Sequence, residues 1–91
     1  AADRAVSGVP EPDGEQASKL LAALGRIDPA LDHERSIGRA RNTCLDLLGD
    51  DPRDDVIERT RQRFDGTAQV DTADAEAIVK LVERGGWCVK R

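Results

Sequence analysis

The chain has no methionine and no tyrosine, one histidine, one phenylalanine, one tryptophan and two cysteines, and it has no long apolar run. Each shortage excludes something. A single histidine, His33, cannot make an H-x-x-x-H metal pair. No motif sets a serine or free cysteine beside it, and no glycine loop cradles phosphate, so the residues of an enzyme are missing and no cofactor is called for. Nothing approaches 18 consecutive apolar residues, so no segment reads as a membrane span. The lack of methionine even at position 1 reads as a processed chain or an excised piece of a longer one, any targeting segment having gone. With 14 basic against 18 acidic residues and a net charge of −4, the chain lacks the basic surplus that nucleic-acid binding uses to displace counterions.

What is present is enough for one small domain. Of its 91 residues, 21 are large apolar ones and 12 are alanine, a thin core that calls for a covalent or metal staple. Cys44 and Cys88 are too far apart for a redox C-x-x-C and have no second pair for zinc. A Cys44–Cys88 disulfide is the economical reading, and closing that loop would stabilise the fold by about 4 kcal/mol on chain-entropy grounds. Such a bond persists only in an oxidising compartment, so the sequence predicts a secreted or cell-surface domain. Two buried thiols are the alternative.

Residues 1–12, with two prolines and no apolar period, read as a flexible leader, either the remnant of export processing or a tether to a membrane anchor upstream. From residue 13 to 91 the pattern is all-α, a compact bundle of four helices. Glycines at 25, 49, 66 and 85 fall where C-terminal caps belong. The first helix opens on a capping box, Asp13 with Gln16, and carries a stripe of Ala17, Leu20, Leu21 and Leu24. Asp28-Pro29 predicts a short turn, and Asp32 a cap for a second helix to Leu48 with Ile37, Ala40, Cys44, Leu45 and Leu48 inward. Asp51 with Pro52 predicts the start of the third, lined by Val56, Ile57, Thr60 and Phe64. Val70-Asp71 precedes the fourth, lined by Ala75, Ile78, Val79 and Val82. The disulfide would then fasten the C-terminal tail onto helix two.

Among residues that could carry chemistry, His33 reads as part of a solvated first turn. Asp65, Asp71 and Glu76 fall at the first, seventh and twelfth places of a calcium loop, but Val70 stands where that loop needs glycine, and acids at helix starts are already explained by capping. Arg41 lies among Ile37, Cys44 and Leu48, so it must either lay its stem along the core edge with its head in water or pair with a carboxylate; the first is expected. Arg35, Arg39, Asn42 and Asp46 form an opposite face expected to be solvated. Arg59, Arg61 and Arg63 include two within helical reach of Asp55 or Glu58. Trp87 is expected to pack over the disulfide, and if exposed it would be a binding anchor.

Over residues 17–88 the pattern resembles the small exported helical domain of unknown function that is found in many copies in actinobacteria, mycobacteria included. The residues that carry the likeness are Leu20 to Leu24, Gly38 with Cys44, Leu45 to Gly49, Val56 to Phe64, Ala75 to Val82, and Trp87-Cys88. The chain departs in having Trp87 where many members carry tyrosine, and Val-Lys-Arg after Cys88 where many have proline. The resemblance implies export, a disulfide and helices, and brings no agreed activity. The leading expectation is a secreted or surface-tethered, non-catalytic interaction module with a protein partner. An inhibitor of a secreted hydrolase acting through the Gly66–Val70 loop, and a weak calcium- or small-ligand-binding domain, are the alternatives. The sequence leaves the oligomeric state open.

Overall fold

A computed structural model describes residues 10–66 and 68–89. Helix α1 (Gly14–Ile27) begins where Asp13 accepts the Gln16 N–H at 2.8 Å and Gln16 accepts the Asp13 N–H at 3.0 Å. This capping box satisfies two backbone donors that the helix leaves unpaired. A single 3₁₀ turn (Pro29–Leu31) follows, opened by the Asp28 side chain on the Ala30 N–H, and leads to α2 (Arg35–Leu48), α3 (Arg53–Asp65) and α4 (Thr72–Arg84). Asp71 and Asp74 form a second capping box at the start of α4. Each helix has three to four turns, too few to hold without packing.

α4 lies against α1, α2 and α3, and its inward stripe of Ala75, Ile78, Val79 and Val82 is buried, as its sequence predicts. Val56, Ile57, Thr60 and Phe64 of α3 are buried with it, joined by Leu20 and Leu24 of α1 and Leu31 of the 3₁₀ turn. Each fully buried aliphatic or aromatic side chain contributes roughly 1.5–3 kcal/mol. The protein is thus an all-α four-helix domain, and the Cys44–Cys88 disulfide, with Cα atoms 5.7 Å apart, ties its C-terminal tail to α2. No helix among the described residues is long and apolar enough to cross a membrane.

Several local expectations are corrected. Gly25 does not end α1, which runs on to Ile27; a Cβ at Gly25 would come within 3.1 Å of the Asp32 Cβ, so the glycine serves close packing instead. Asp32 does not cap α2, whose first turn is held by His33, with Nδ1 accepting the Arg35 N–H at 3.1 Å. Asp51 does not cap α3, because its carboxylate is taken by Arg59 at 2.8 Å. Gly49, Gly66 and Gly85 end their helices without adopting the left-handed conformation, which falls instead on Asp50 (φ 61°) and Gly86 (φ 82°). The buried face of α2 is rotated from the one predicted. Leu45 is 45% exposed, while Ser36 and Thr43 are buried.

Of the predicted leader, residues 1–9 lie outside the described residues. Of the remaining three, Pro10 is buried and its carbonyl accepts the Arg41 Nε–H at 3.3 Å, and Glu11 lies 3.5 Å from the same guanidinium. Lys90 and Arg91 also lie outside.

Candidate functional site

A mainly apolar cleft of about 150 Å³ lies between α1 and α4. α1 supplies Gln16, Lys19, Leu20 and Ala23, which a helix sets on one face by their three- and four-residue spacings. α4 supplies Leu81 and Arg84, one turn apart, and the tail closes the end with Gly85 and Trp87. The left-handed Gly86 is what lets the chain turn back here, since φ near 82° is strained for any residue with a Cβ. Beyond that turn, successive tail residues serve different helices, Trp87 lining the α1–α4 cleft and Cys88 bonding to Cys44 on α2. The staple therefore fixes the residue next to the cleft wall.

Trp87 is 5% exposed, and its Nε1 is buried without an acceptor among the described residues. A Cβ on Gly85 would lie 2.6 Å from that nitrogen, so the indole occupies the space of a missing side chain. Trp87 thus serves as a wall between α1 and α4.

The cleft's charge is one-signed. Among the described residues, Lys19 and Arg84 are the charged ones that line it, and no carboxylate does. Lys19 lies 3.1 Å from Glu15 with both side chains largely exposed, a pair worth little in water. Arg84 makes no ion pair or hydrogen bond among the described residues. Two carboxylates are shifted: Glu58 is pulled down to about 2 by hydrogen bonds from Arg61 and then Gln62, and Glu83 is lowered first by its hydrogen bonds from Arg53 and also by the charge of the adjacent Arg84.

The other sequence candidates are not gathered here. Asp65 and Asp71 share an open polar depression with Arg61, but Glu76 does not line it and lies 3.8 Å from Lys80. The Asp71 carboxylate is engaged by the Asp74 N–H, and no cluster of three metal-ligating side chains occurs among the described residues. In the loop proposed for an inhibitor, Val70 is buried and Ala68 packs against the core, while Thr67 lies outside the described residues. Arg41 is more enclosed than a stem with a solvated head, its side chain 19% exposed and its guanidinium held by Pro10 and Glu11. Asp46, assigned to a solvated face, is instead bonded to Arg63 at 2.6 Å. Sequence reasoning missed the α1 stripe as a cleft wall; the signal available was that Gln16, Lys19 and Ala23 border Leu20 on the helical wheel.

No family model, curated protein or solved structure matches the chain. Fold and site define a class, the disulfide-stapled all-α domain with a one-signed surface cleft.

Proposed function

We propose that the protein is a secreted or surface-tethered, non-catalytic interaction module that contacts its partner through the α1–α4 cleft. The observation that carries this reading is the cleft itself, apolar within, cationic at its edge, and walled by a tryptophan that a disulfide holds next to it. Tryptophan and arginine are the residues on which interface energy concentrates. Export is in keeping with a disulfide that tethers the tail of a domain with so thin a core.

The test is affinity capture from the culture fluid of the source organism, using the oxidised domain and its Ala23→Arg variant as paired baits. Ala23 lies half-buried on the cleft wall, so arginine there obstructs the cleft from the helix surface. A protein retained by the wild type and lost by Ala23→Arg is the expected result. Identical retention by both baits would contradict it. Stoichiometric loss of the retained protein's hydrolytic activity would convert the module into an inhibitor.

A further inference from the structure

Resting on the reading of the cleft as the contact surface, we infer that it receives the C-terminal residue of a partner polypeptide, with the apolar side chain inside and the α-carboxylate against Arg84 and Lys19. Three observations converge on this occupant. The first is size. An apolar cavity of about 150 Å³ accommodates a benzene molecule, so the cleft has room for one leucine- or phenylalanine-sized group. The second is surface chemistry, because Leu20, Ala23, Leu81 and the Trp87 indole present apolar surface to that group.

The third is charge. On a chain of net charge −4, the described residues that line the cleft include two cations and no acid. The end of α4 carries the negative pole of its helix dipole, which would repel an anion, and Arg84 in that last turn offsets it with a positive charge. Arg84 feels the charge of the adjacent Glu83 carboxylate but makes no hydrogen bond or ion pair with it among the described residues, so its guanidinium can donate to a carboxylate from outside, and guanidinium–carboxylate bonds are among the stronger polar contacts. A chain terminus is the unit that places a carboxylate directly on the Cα bearing the apolar side chain.

The experiment uses the full oxidised chain, whose only tryptophan is Trp87, so emission excited at its band reports on the cleft wall directly. Acetyl-dialanyl-leucine with a free carboxylate is titrated beside the same peptide as its C-terminal amide and beside 4-methylpentanoate, each against wild type and Arg84→Gln. Saturable change with the carboxylate peptide, at least about tenfold tighter than the amide at low salt, is expected, since a charged hydrogen bond is being removed. Arg84→Gln should cut that ratio to below about threefold while leaving circular dichroism unchanged, because Arg84 is exposed.

Equal affinity for peptide and amide, no response of Trp87 to either, or an unchanged ratio in Arg84→Gln would each overturn the inference. Binding of 4-methylpentanoate as tightly as the peptide would also overturn it, in favour of a free small acid. Should the peptides fail while Ala23→Arg still abolishes capture of a partner, the C-terminal occupant falls and the interaction module stands.

Discussion

Arg63 of α3 and Asp46 of α2 are joined across the helix interface by a charged hydrogen bond of 2.6 Å, with side chains only 24% and 14% exposed. The same guanidinium donates to the Thr43 hydroxyl at 3.2 Å, and Thr43 lies 3.0 Å from the buried Thr60 hydroxyl. Because Thr43 accepts from Arg63, its own proton can go to Thr60, so the α2–α3 seam is a chain of satisfied polar groups beside the apolar core. Removing one member leaves another buried group unpaired, which costs more than the bond itself is worth.

Asp46→Ala should therefore destabilise the oxidised domain by about 1–3 kcal/mol in urea unfolding. In a double-mutant cycle with Arg63→Met, the two changes should couple by roughly 0.5–3 kcal/mol. Simple additivity would mean that water already screens the pair.

Two glycines offer opposite outcomes from the same substitution. Gly38 is the fourth residue of α2 and a Cβ there meets nothing within 4 Å, so Gly38→Ala should stabilise by about 0.5–1 kcal/mol through helix propensity. At Gly85 the backbone is equally permissive, with φ near −70°, but the new Cβ would collide with the Trp87 indole. Gly85→Ala should lower the melting temperature and shift Trp87 emission to the red; an unchanged spectrum would show that the indole has room to move.

Acid stability follows from two surface carboxylates. Glu58 falls from its ordinary 4.5 to about 2 because Arg61 and Gln62 bond its charged form, and Glu83 is lowered by Arg53. Their folded values lie below their unfolded ones, so the unfolded chain binds more protons in that window and stability rises with pH. The contribution is complete above about pH 4.5 and is lost as pH falls toward about 2. Glu58→Gln should flatten the acid limb of a stability-against-pH curve while leaving the region above pH 5 parallel to wild type.

Arg41→Met separates a stem that merely covers the core from a head that holds the N-terminal segment. Since the guanidinium bonds Pro10 and faces Glu11, the change should cost about 0.5–1.5 kcal/mol and speed amide hydrogen exchange at Glu11. Wild-type stability and exchange would return Arg41 to the simpler role.

Helices α3 and α4 were legible because their inward residues are aliphatic, aromatic or threonine at unbroken helical spacing, and burial follows from that alone. α2 was misread by a fraction of a turn for a physical reason. Ser36 and Thr43 look like surface residues, but Ser36 donates to the Leu31 carbonyl at 2.7 Å and Thr43 joins the Arg63 chain, so both are buried with their hydroxyls satisfied. Leu45, the more hydrophobic choice, is left outside. The acids Asp32 and Asp51 illustrate the same limit, since capping competes with partners that only the folded chain brings near. The cleft was illegible because it joins α1 to a tail some sixty residues later through a bridge to a third helix. Trp87 and Cys88 were singled out, but nothing in their spacing shows that the indole faces α1.

The central claim is that the Cys44–Cys88 bond holds the tail so that Trp87 forms a fixed wall of a binding cleft. Urea unfolding of the oxidised and reduced domain, followed by Trp87 emission, tests it most directly. For a sequence separation of 44 residues, reduction should lower unfolding free energy by about 4 kcal/mol and move native-baseline emission to the red as the indole gains water. Superposable curves with the same native emission would contradict it, and would place the tail's hold in the indole's own packing.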